Sequence, residues 1–194
     1  LLQVDLAIEA VVEKVEVKHM ILSELEKING MDCLMVSNTS SFPITQLASV
    51  LKHKDRFAGL HFFNPAPAMK LVEIIRGAAT TDHTIDVLGA FVESLSKSAV
   101  QVADSPGFIV NRVARPFYAE ALKVIEDGGT DFETVDFLLR SSGFKMGPFQ
   151  LMDLIGVETN FAVTTSIYNA FYQDPKFRPS RIQQRLVDAG HYGR

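Results

Sequence analysis

Glu73 is the first chemical signal in this sequence, a carboxylate set inside the apolar run Leu71-Val72-Glu73-Ile74-Ile75. That run otherwise reads as a strand buried on both faces. A carboxylate there costs on the order of several kcal/mol unless it is paired or hydrogen-bonded. His61 precedes it by one short loop and lies near the C-terminal end of a neighbouring strand, where open α/β sheets place their ligands. Alternation along that strand puts His61 on the same face as Phe57, Gly59 and Phe63. A histidine held by a carboxylate is the arrangement of a general base fixed in one tautomer. The residues alone leave alternatives open. His61 could be a core histidine satisfied by a backbone carbonyl, and Glu73 could sit in an internal salt bridge or pair with Lys70 or Arg76 at the ends of its strand.

Weaker candidates surround this pair. Asn38-Thr39-Ser40-Ser41 follows another strand's C-terminal end, and its short polar side chains could bind ligand oxygens or simply form an ordinary turn. Asn111 lies two positions from both Ile109 and Val113, facing away from the stripe expected to pack its helix, which is also where a solvent-facing Asn would be. Glu13 and Lys18 flank the first strand-to-helix turn and could do no more than stabilise that helix. His19, His53, His83 and His191 lack metal-ligand spacing, and no metal site is expected. The sequence contains neither a G-x-G-x-x-G loop nor a Walker loop.

The elements that must position these residues fall into two groups. Residues 1–104 alternate strands with helices. Strands are expected over Leu6–Val11, Cys33–Ser37, Phe57–Phe63, Lys70–Arg76 and Ala99–Val102, and helices over Glu13–Ile28 and Asp82–Leu95. This is the pattern of βαβ units around a largely parallel sheet. After Asp104-Ser105-Pro106-Gly107 strand signals stop. Ile109, Val113, Phe117, Ala121 and Ile125 recur every four residues and predict a long helix, with Pro116 inside it as an expected kink. Thr130 and Glu133 predict a capping box for a second helix, and Gly147-Pro148 restarts a third. Further helices are expected over Phe161–Tyr172 and Arg181–Ala189. The fold class is therefore α/β followed by all-α, with residues 1–104 as one domain and 105–194 as the other.

The chain has 194 residues, with 19 Lys+Arg against 23 Asp+Glu and a net charge of −4. That mildly acidic balance argues against a nucleic-acid or anionic-membrane binder. Apolar runs such as Leu60 to Phe63 are far too short to span a bilayer. The single Cys33 has no partner for an intramolecular disulfide, so a reducing, cytoplasmic location is expected. The opening LLQVDLAIEAV reads as buried strand without an initiator Met, and HYGR closes no element, which leads to the expectation of an internal piece of a longer chain.

Several strings then converge on one family. Ser37-Asn38-Thr39-Ser40-Ser41, Arg56-Phe57-Ala58-Gly59-Leu60-His61-Phe62-Phe63-Asn64-Pro65 and Met69-Lys70-Leu71-Val72-Glu73 resemble the L-3-hydroxyacyl-CoA dehydrogenase family. Asp104-Ser105-Pro106-Gly107-Phe108-Ile109-Val110-Asn111-Arg112 and Met146-Gly147-Pro148-Phe149 fit it too, in the same order. The resemblance implies NAD as cofactor and oxidation of a (3S)-hydroxyacyl-CoA to the 3-oxoacyl-CoA. It makes His61 the general base and Glu73 the residue that orients it. It places Ser40 and Asn111 on the reacting part of the acyl chain, and Glu13, Lys18, Asn38, Ser40 and Asn64 around the cofactor. It further implies a Rossmann-type NAD domain, a helical domain that forms a homodimer, an interdomain active site, and neither nucleic-acid nor membrane partners. The family's first βαβ unit, with its glycine-rich phosphate loop, would precede Leu1, and its basic, glycine-rich tail would follow Arg194. The alternatives are a dehydrogenase of free hydroxy acids and a catalytically silent assembly module.

Overall fold

The computed structural model describes residues 4–30 and 32–193; Leu1 to Gln3 of the expected opening strand and the closing Arg194 lie outside the described residues. Two compact units divide between Ile109 and Val110.

The first unit is a five-stranded sheet in the order β1 (Leu6–Glu9), β2 (Leu34–Ser37), β3 (Phe57–Phe62), β4 (Leu71–Arg76) and β5 (Ser98–Ala103). Its helices are α1 (Val15–Ile28), α2 (Ile44–Leu47) and α3 (Asp82–Ser94). Period-two alternation divides the core into two layers. Met35, Phe57 and Ile75 point to the face covered by Leu22 of α1 and by Ile44 and Leu47 of α2. Val36, Ala58, Leu60, Val72 and Ile74 point to the face covered by Ile85, Leu88 and Val92 of α3.

Three of the strand pairings are parallel, but β3 and β4 run antiparallel. The cause is the connection. Phe63 to Lys70 is shorter than the roughly dozen residues that a parallel crossover needs. The register that results sets His61 directly opposite Glu73. The four-residue α2 is too short to show a helical period and was not expected from the sequence. It is capped from a distance, because the Asp104 carboxylate accepts the backbone N–H groups of Ile44 and Thr45, each at 2.8 Å.

The second unit is helical throughout its described residues: α4 (Val110–Glu126), α5 (Phe132–Ser141), α6 (Pro148–Ile155), α7 (Val157–Ala170) and α8 (Arg181–Asp188). Two expectations are corrected here. The predicted α4 stripe is only partly its buried face: Ala121 is buried, but so are Arg115, Tyr118 and Leu122 outside the stripe, while Val113 is 69% exposed. A four-residue repeat overshoots the helical turn by about 40° at each step, so the stripe wraps around the helix instead of following one side. The cap of α5 is Asp131 in place of a Thr130–Glu133 box, its carboxylate accepting the Thr134 N–H at 2.7 Å. That bond to the Thr134 backbone, before any other contribution, holds the Asp131 carboxyl below the usual carboxylate range.

Candidate active site

Strand β4 delivers Glu73 and strand β3 delivers His61 to the same face of the sheet. His61 Nδ1 lies 2.8 Å from Glu73 Oε2, and both side chains are buried. Glu73 uses its second oxygen as well, accepting the backbone N–H of Ile109 at 2.9 Å. A carboxylate anchored on both oxygens cannot swing away from the ring. Neither rival cation takes it: Arg76 donates to Asp82 at 2.7 Å, and Lys70 is exposed. The imidazole is also flanked by the rings of Phe63, at 4.5 Å between centroids, and Phe108, at 5.7 Å. Phe108 and the Ile109 N–H arrive together on the turn after Asp104-Ser105-Pro106-Gly107. Both lie in the string from Asp104 to Arg112, but nothing in the sequence places them against His61 and Glu73.

The C-terminal ends of β1 and β2 hold a second polar cluster. Lys18, 1% exposed, donates from Nζ to Glu9 Oε1 at 2.9 Å and lies 3.0 Å from Glu13 Oε2. Glu13 Oε1 accepts from the Thr39 hydroxyl at 2.5 Å, the Ser40 N–H at 3.1 Å and the Ser41 hydroxyl at 2.9 Å. Burial pushes the Glu13 carboxyl up, but the hydrogen bonds from Thr39, Lys18 and Ser41 outweigh it and hold the group below its ordinary value. Asn38 accepts the Phe62 N–H on its Oδ1 at 2.9 Å, joining this cluster to the end of β3 beside His61.

The structure thus brings Glu13, Lys18, Asn38 and Ser40 into one hydrogen-bonded group. Asn64 is exposed on the loop after β3, joined to Pro65 by a cis peptide bond. Asn111 belongs to the second unit, in the first turn of α4, where it is half-buried and its carbonyl accepts from Arg115 Nε at 3.1 Å. Glu9 and Ser37 were not among the expected site residues. Glu9 closes β1 and was read as part of a longer strand, Leu6–Val11. The strand instead stops at Glu9, and the chain turns so that the Val11 N–H donates back to the Glu9 carboxylate at 2.7 Å.

Residues 1–105 match the family model described as 3-hydroxyacyl-CoA dehydrogenase, NAD binding domain, and residues 107–194 match that of the C-terminal domain. The chain belongs to the 3-hydroxyacyl-CoA dehydrogenase family. It is 47% identical over 191 residues to a 3-hydroxyadipyl-CoA dehydrogenase of Escherichia coli, covering 98% of this chain and 40% of that protein. It is 39% identical to the mitochondrial hydroxyacyl-coenzyme A dehydrogenase of Sus scrofa, covering 98% of this chain and 61% of that one. A crystal structure of a 3-hydroxybutyryl-CoA dehydrogenase from Escherichia coli superposes with a TM-score of 0.95 at 47% identity, over 97% of this chain and 40% of the other. As a 3-hydroxyacyl-CoA dehydrogenase family member, the chain spans 40% and 61% of the two curated relatives named here.

Proposed function

We propose that the protein oxidises (3S)-hydroxyacyl-CoA thioesters to 3-oxoacyl-CoA with NAD, using His61 as general base. The observation that carries this reading is the 2.8 Å contact between His61 Nδ1 and a Glu73 carboxylate that is itself anchored at its other oxygen. Glu73 accepts a hydrogen bond from Nδ1–H, which leaves the lone pair on Nε2 to take the proton of the 3-hydroxyl group while the carbinol hydrogen leaves as hydride for NAD. The imidazolium formed in that step is stabilised by the same carboxylate, beside the rings of Phe63 and Phe108 and with His61 only 5% exposed.

NAD, when bound, supplies the hydride acceptor. The donor and acceptor set at the ends of β1 and β2 fits a polar, uncharged carboxamide and a ribose: a partly exposed Glu13 carboxylate, the Ser40 and Asn38 side chains, and the exposed Asn64. Open sheets bind nucleotides at this end of their parallel strands. Glu13, Lys18, Asn38, Ser40 and Asn64 are therefore assigned to the cofactor, and Ser40 with Asn111 to the acyl chain. The names of the three relatives given above each specify a coenzyme A thioester, which supports a thioester over a free acid.

The same reading extends to assembly and location. The helical unit exposes Val113, Phe137, Leu138, Phe144, Leu154 and Tyr172, an apolar surface that suits a homodimer. Among the described residues no helix is long and apolar enough to cross a membrane. The buried, free Cys33 suits a reducing, cytoplasmic setting.

The test is turnover by the full-length protein. A (3S)-hydroxyacyl-CoA should reduce NAD at a rate far above that of the matching free hydroxy acid. Equal turnover of the free acid would overturn the thioester assignment, and turnover of neither would overturn the dehydrogenase itself.

A further inference from the structure

Glu9 is a buried carboxylate that the mechanism above leaves without a task. It is 2% exposed, yet it accepts four hydrogen bonds. The Val11 N–H and Lys18 Nζ reach Oε1 at 2.7 and 2.9 Å, and the Ser37 hydroxyl and Lys18 Nζ reach Oε2 at 2.6 and 3.2 Å. Lys18 is thereby held between two carboxylates, Glu9 behind it and Glu13 in front of it. Glu13 is where the network meets the surface, its side chain 37% exposed. The charge of the trio is one negative unit, since two carboxylates face one ammonium. A lone Glu13–Lys18 pair would carry none.

We propose that Glu9 is a positioning residue whose charge, acting through Lys18, leaves Glu13 and the Thr39–Ser41 turn electronegative, so that the site favours the oxidised, cationic nicotinamide over the neutral reduced one. Ordinary hydrogen bonding would need no buried carboxylate at this position, because a Gln side chain could accept the Val11 N–H on its one oxygen and donate its amide to the Ser37 hydroxyl oxygen. What Glu9 adds is a charge that cancels the Lys18 ammonium. Glu9 and Lys18 are themselves buried, so one such charge is felt across several ångströms. It acts on the oxidised form alone, because the reduced ring has no net charge to attract.

This inference rests on the NAD-dependent reading, and the experiment separates the two. Dissociation constants for NAD+ and NADH are measured on the full-length protein by fluorescence or calorimetry, without turnover. Glu9→Gln should weaken NAD+ binding about fivefold relative to NADH. Ser37→Ala removes a hydrogen bond to Glu9 but no charge, and should leave the ratio of the two constants unchanged. Should Glu9→Gln fail to fold, Glu13→Gln deletes the same unit of charge from the exposed side and should move the ratio in the same direction. Equal loss of affinity for both forms, or an unmoved ratio, would reduce Glu9 to a scaffold residue. Wild-type protein that binds neither form would overturn the cofactor reading and this inference together.

Discussion

Glu73 and Glu13 show how a carboxylate's surroundings set its role. Glu73 is locked from both sides, by the His61 ring and by the Ile109 N–H, and holds the imidazole in place. Glu13 gathers a whole turn through Thr39, Ser40 and Ser41. Because its folded carboxyl is held below the usual range, Glu13 stabilises the fold while it is ionised and stops doing so as the pH falls through its lowered value. Melting temperatures of wild type and Glu13→Gln should therefore differ at neutral pH and converge in acid; a constant gap across the titration would contradict the assignment. The His61–Glu73 contact was legible in the sequence because a carboxylate inside Leu71–Ile75 demands a partner. The Glu9 cluster was not, because a charged residue near the end of a strand normally finds solvent. Only the turn of the chain after Glu9, which brings Val11 and Lys18 onto it, makes it buried.

Elements read from apolar spacing came through where their period was clear and failed where spacing is ambiguous. Strands β2, β3 and β4 begin and end within a residue of expectation, because continuous apolar runs bounded by polar turns leave little choice. The direction of β4 follows from the length of its connection, not from its residues. In α4 the true interior includes Arg115, whose guanidinium donates to the Asn160 carbonyl and the Thr164 hydroxyl of α7, a face that no hydropathy pattern would select. Helix α6 starts at a close approach. The Asp136 carboxylate accepts the Phe149 and Gln150 N–H groups, each at 2.9 Å, and its backbone and side chain occupy the space a Cβ on Gly147 would need. Gly147→Ala should thus destabilise the helical unit by about 2 kcal/mol or more, by displacing the cap as well as by overpacking. Denaturant unfolding checks it, and a loss within the noise of a surface substitution would show that Asp136 can yield.

For the whole molecule, the family assignment turns two separate features into one account. The helical unit carries an apolar groove of about 370 Å³ between α4 and α5, lined by Pro116, Phe117, Ala121, Val124, Val135 and Leu138. If that surface forms the homodimer, sedimentation should give a dimer at micromolar concentration, and Leu138→Asp should give a folded monomer. A wild-type monomer would remove the interface. The proposed chemistry lies in the sheet unit and stands on His61. The most direct measurement is the kcat of the full-length protein for a (3S)-hydroxyacyl-CoA in wild type, His61→Gln and Glu73→Gln. Loss of the base should cost about a hundredfold or more in kcat. Loss of the carboxylate charge should cost at least about tenfold, with the imidazole still present. Near-normal kcat in His61→Gln would contradict the account outright.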